Sequence, residues 1–159
     1  MSHHTDLAAN LRAENQALRE FHAILLNEQA CLVDSDVDAL LQITQLKSDK
    51  IDLLAELEAA RSRHLHELGF DAGREGAADW LSRYSGTARA DLAPLWDELV
   101  ELATQVRALN ESNGALISAR MSHNQAALAA LQSTARAQTL YGRDGQSDLG
   151  SRPRELGRA

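Results

Sequence analysis

Histidines, cysteine and clustered carboxylates are where this chain could carry chemistry, and their spacing arranges none of them for it. A Glu-x-x-His pair would aim two metal ligands inward from one helix face. No glutamate here has a histidine three positions later. His64 and His66 are two residues apart, which turns them to different helix faces. His3 and His4 fall in a terminus expected to fray. Asp34, Asp36 and Asp38 alternate as in a calcium loop, but the glycine at the sixth position and the glutamate at the twelfth are missing. Short carboxylates there instead suit the end of one helix and the N-cap of the next. Cys31 is the one cysteine and sits among Leu25, Leu26, Leu32 and Val33, without a basic or histidine neighbour to activate it. It reads as a small buried hydrophobe that closes no intramolecular disulfide. No glycine-rich phosphate loop follows a strand, and Ser85-Gly86 lacks a nucleophile-elbow context. Neither an enzyme nor a cofactor or metal site is expected.

Charge narrows the partners. Residues 1–60 hold eleven acids and four bases, and residues 61–159 hold twelve of each. No basic stripe exists for a phosphate backbone to follow, so nucleic acid is not expected as a partner. No run of 18 apolar residues predicts a membrane span, and no signal segment opens the chain. A cytoplasmic protein without direct membrane insertion is the expectation.

The elements that must position any surface are helices. Apolar residues make up 44% and aromatics 4% of the 159 residues, with two prolines, which favours an all-α fold. A first helix is predicted from about Asp6 to Cys31, capped by Thr5 or Asp6. Its seam is Leu7, Leu11, Glu14, Leu18, Phe21, Leu25, Glu28 and Leu32, in steps of four and three. Glu14 and Glu28 interrupt it: either they reach a base on a neighbouring helix, or the seam drifts around a 3.6-residue helix. A second helix is predicted from Val37 to Leu68, with the seam Leu40, Ile43, Lys47, Ile51, Leu54, Glu58, Arg61 and Leu65, and with Gly69 as its αL terminator. Residues 69–90 form a connection with a short helix near 77–84, whose Trp80 folds back over the bundle end. A third long helix is predicted from Asp91 to Tyr141, with Pro94 in its first turn. Asn113-Gly114 within it admits either a continuous helix or a break. Residues 1–142 are thus read as one helical domain, an antiparallel hairpin plus a long C-terminal helix. Residues 143–159, glycine- and arginine-rich without apolar periodicity, are read as a disordered tail.

Length then points to function. The third helix would run roughly 75 Å against roughly 42–48 Å for the first two. Its far end still carries Leu128, Leu131, Ala135 and Leu140. Such a stripe without a partner in its own fold is a docking surface. Ile117, Met121, Asn124, Leu128, Leu131 and Ala135 would receive a helix in a groove, with nearby alanines permitting close approach. The structural alternative is a homodimeric coiled-coil tether in which this helix pairs with its own copy.

Three segments resemble the FlgN family of flagellar type III export chaperones. The first is Leu25-Leu26-Asn27-Glu28-Gln29-Ala30-Cys31-Leu32, followed by an acidic break and Leu40-Leu41. The second is Lys47-Ser48-Asp49-Lys50, leading through Leu53-Leu54 and Leu57 to Arg61. The third and most specific is Asn110-Glu111-Ser112-Asn113-Gly114-Ala115-Leu116-Ile117, with Leu140-Tyr141-Gly142-Arg143-Asp144-Gly145 some two dozen residues on. The resemblance implies a cytoplasmic, ATP-independent chaperone with an antiparallel helical fold; a monomer or weak dimer is expected. It would bind the C-terminal helical segment of the hook–filament junction proteins FlgK and FlgL and deliver them to the export apparatus, including the cytoplasmic domain of the gate FlhA. The family binds cargo through its C-terminal part. That singles out Asn110, Asn113, Gly114 and Ile117 for cargo, with Tyr141 and Gly142 as candidates for gate docking. The asparagines have a second possible role, ordering a helix kink.

Overall fold

A computed structural model describes residues 2–83 and 86–141. Four helices follow one another: α1 (Ser2–Asp34), α2 (Val37–Glu67), α3 (Arg74–Arg83) and α4 (Thr87–Tyr141). No strand occurs among the described residues, so the fold is all-α as the composition implied. The chain divides into two compact units, one ending at Ile117 and one beginning at Ser118. The expected tail, and with it Gly142, lies outside the described residues.

In the first unit α1 and α2 form an antiparallel hairpin, and the early part of α4 lies beside them, parallel to α1. Direction follows from the ties: Asn15 pairs with Glu98 and Glu28 with Asn113, whereas Glu14 pairs with Arg61 and Glu28 with Lys47. The core joins Leu11, Phe21 and Leu25 of α1 to Leu65 of α2 and to Leu92, Leu99 and Val106 of α4. Trp80 of α3, 2% exposed, closes one end against Leu7, Leu11, Leu65 and Trp96, as its position in the connection suggested. An aromatic side chain of that size dominates the burial at its end of a small bundle.

Both hairpin-side termini are set by local chemistry. Ser35 takes φ 58°, and the Asp36 N–H reaches back to the Cys31 carbonyl at 3.0 Å. The Asp36 carboxylate then accepts from the Ala39 N–H at 3.1 Å and caps α2. The acidic run is therefore capping chemistry. At the other end Gly69 takes φ 83°, the Gly69 N–H bonds the His66 carbonyl, and the Phe70 N–H bonds the Leu65 carbonyl, both at 2.9 Å. That paired closure needs an αL residue, and glycine adopts it without a Cβ clash.

Three boundaries differ from the expectation. α1 begins at Ser2, so Thr5 and Asp6 are helical residues and not caps, and His4 packs 5.8 Å from the Trp80 ring where a frayed terminus was expected. α3 spans Arg74–Arg83. α4 begins at Thr87, its ladder opened by the Ala90 N–H to the Gly86 carbonyl at 3.1 Å, so Pro94 stands inside the helix. A proline there removes one backbone bond, and buried Leu92 with half-buried Leu95 and Trp96 anchors the turns around it.

α4 runs without interruption through Asn113-Gly114. A Cβ added at Gly114 would meet nothing within 4 Å. Because a helix-interior glycine costs about 1 kcal/mol relative to alanine, Gly114→Ala is expected to raise unfolding stability by roughly 0.5–1 kcal/mol in urea titration. A loss of stability would mean that the helix bends there in solution.

Candidate functional site

Two buried ionic ties hold the first unit together. Glu28, 4% exposed, receives Lys47 Nζ at 3.0 Å. Asn113, fully buried, donates through Nδ2 to the Leu25 carbonyl at 2.8 Å and to Glu28 Oε1 at 2.9 Å. Lys47 also donates to Asn110 Oδ1 at 3.1 Å. One lysine, one glutamate and two asparagines thereby bind α1, α2 and α4 at a single level. Buried polar groups persist in a core only when paired in this way.

The second tie is Arg61 Nε to Glu14 Oε2 at 3.0 Å, with the guanidinium 5.5 Å from the Trp96 ring centroid. Glu14 and Glu28 therefore reach bases across the hairpin, and seam drift is excluded. A signal for this was present. Both glutamates and both bases stand fourteen residues apart, so an antiparallel hairpin that aligns one pair aligns the other. Asn15, 1% exposed, carried no such signal; it donates to the Leu95 carbonyl at 3.0 Å and to Glu98 Oε2 at 3.1 Å.

Burial pushes the Glu14 carboxyl above the usual carboxylate range, against the pull of Arg61. The folded state then holds this proton at a pH where the unfolded chain has released it. Its contribution to stability is full on the acid side and declines as pH rises through the raised value. Glu20 acts in the opposite sense, held low by hydrogen bonds from Lys50 and then Gln16, so the comparison must isolate Glu14. Stability of the native protein minus that of Glu14→Gln should fall from acid to neutral pH in parallel urea titrations. A difference that rises with pH would show that Arg61 outweighs desolvation.

The residues singled out for docking separate into two groups. In the first unit, Asn113 offers no side chain to solvent, because its amide nitrogen is spent on the core tie. Asn110 is exposed but engaged by Lys47, Gly114 is exposed, and Ile117 is 37% exposed. In the second unit every residue from 121 to 139 is exposed. Met121 and Leu128 are each 57% exposed and Leu131 is 68% exposed. With Asn124 and Ala135 they step by three, four, three and four along α4, one seam with small neighbours. Tyr141 ends α4, and its side chain lies outside the described residues.

Cys31, expected as buried, is half-buried, with Sγ 3.9 Å from Asn27 Oδ1. No group of three or more His, Cys, Asp or Glu among the described residues is placed to hold a metal. No described helix is long and apolar enough to cross a membrane.

Comparison with known proteins points to one family. The model of the FlgN protein family matches residues 1–148. The chain is similar to the flagella synthesis protein FlgN of Proteus mirabilis, 29% identical over 141 residues that cover 89% of this chain and 80% of the relative. It is similar also to flagella synthesis protein FlgN of Yersinia enterocolitica, 29% identical over 143 residues covering 89% and 88%. No solved structure matches the chain.

Proposed function

Because the chain belongs to the FlgN family, we propose that it is a cytoplasmic flagellar export chaperone whose exposed α4 seam binds the C-terminal helical segment of the hook–filament junction proteins FlgK and FlgL. The carrying observation is the unbroken exposure of residues 121–139 with Met121, Leu128 and Leu131 on one side. Apolar area left in water forgoes about 25 cal/mol per Å², and an amphipathic cargo helix laid on the seam recovers it. Binding keeps that cargo segment from assembling early. Release to the export apparatus follows, with the FlhA cytoplasmic domain as the receiving partner and the Tyr141-Gly142 pair as the residues presented to it. No reaction step belongs to this function; it is recognition alone.

Co-purification tests it. The full chain should retain an intact junction protein and lose one lacking its C-terminal helical segment. Equal retention of both would remove the seam from cargo recognition.

A further inference from the structure

The docking seam lies in a stretch whose charge differs from the rest of the chain. Residues 1–117 hold twenty acids and ten bases. From Ser112 to Arg143 there is no Asp or Glu, thirty-two residues in a chain of 159 that carries 23. Arg120 immediately precedes Met121, and Arg136 immediately follows Ala135, so a cation stands at each end of the seam. At about 100° of turn per residue the two fall on opposite flanks of it.

The seam also has one polar member. Asn124, exposed like its neighbours, stands between Met121 and Leu128, with Leu131 and Ala135 beyond. Under a partner helix its amide loses water and needs a donor or acceptor opposite. A single asparagine buried in an apolar helix seam fixes the register of the helix that meets it.

These features choose among occupants. Two copies of this seam, laid together in register, bring arginine to arginine whichever way they run, and a basic helix meets the same repulsion. A nucleic acid would leave Met121, Leu128 and Leu131 uncovered. An acidic amphipathic helix satisfies both the charge and the apolar stripe.

We propose that the Met121–Ala135 seam selects a helix with carboxylates flanking its apolar stripe, which meet Arg120 and Arg136, and one hydrogen-bonding side chain opposite Asn124. This rests on the cargo reading and adds the features by which cargo is told from other helices.

Titration of the full chain with three designed helical peptides tests it. All share one apolar stripe. The first has glutamates on its flanks and a central asparagine, the second has lysines for the glutamates, and the third has leucine for the asparagine. The binding scored is the part that Leu128→Asp removes. The glutamate peptide should bind about tenfold tighter than the lysine peptide at low salt, and the gap should close as salt is added. Arg136→Glu, at an exposed position, should narrow that gap about threefold. Leucine for the central asparagine should weaken binding to the native chain about tenfold and make no difference to Asn124→Leu. Equal binding of the first two peptides, no seam binding by any of them, or the same leucine effect in Asn124→Leu overturns the proposal. So does a cargo-free chain that sediments as a dimer dissociated by Leu128→Asp. The cargo reading fails in a different way. A native chain that prefers the glutamate peptide yet ignores a junction-protein C-terminal peptide would remove the cargo and leave the selectivity of the seam standing.

Discussion

Replacing Lys47 with methionine should cost about 3 kcal/mol of unfolding free energy, because the change strands a buried carboxylate. Glu28 is 4% exposed and receives Lys47 at 3.0 Å, while its other oxygen accepts from Asn113. Methionine fills the space of the lysine stem but leaves Glu28 with the Asn113 amide as donor and no cation. Asn110, the second acceptor of Lys47, is exposed and can turn to water, so its loss adds little. The buried charge alone sets the magnitude. For the same reason Glu28→Leu added to Lys47→Met should recover at least half of the loss, since an apolar pair of similar volume carries no desolvation cost. Asn113 keeps its bond to the Leu25 carbonyl in that background. Urea denaturation of the two single variants and the double variant measures the coupling. A loss below about 1 kcal/mol for Lys47→Met, the range of surface ion pairs, would show that water reaches Glu28 in solution.

Leu128→Asp together with Leu131→Asp should reduce affinity for a junction-protein C-terminal peptide by a hundredfold or more, on the order of 3 kcal/mol. Each side chain is more than half exposed, so the folded chain loses little when it changes. Thermal stability should remain within about 1 kcal/mol of the native protein. Against a bound helix the same positions become dry. A carboxylate there must shed water without a partner, and central apolar anchors carry a disproportionate share of binding energy. The asymmetry between binding and stability is the discriminating result, read by calorimetric titration beside a thermal melt. Unchanged affinity would move the cargo surface off this seam. A collapsed fold would mean that the seam is covered within the chain.

Much of this was readable from residue order. Heptad steps in α1 and α2, the αL glycine at 69 and the capping aspartates specified three long helices and a short one. These are signals between residues one to seven positions apart, where backbone geometry alone relates side chain to side chain. The exposure of Leu128 and Leu131 was also legible, because α4 at 55 residues outruns α1 at 33 and α2 at 31.

What only the tertiary structure decided concerns polar residues and the space between helices. Asn113 appeared as a motif residue available to cargo, yet it is buried and holds α1 to α4 through contacts 85 and 88 residues away in sequence. Glu14 and Glu28 could have been faults in a seam until α2 placed Arg61 and Lys47 opposite them. Ile51 occupied a seam position and is half-exposed, because a helix pattern states which side is apolar and not whether a neighbour arrives to cover it. Local order fixes a side chain's direction to within one helix face. Whether that face meets a partner depends on the separation of helix axes, a sum of many weak contacts across the whole core.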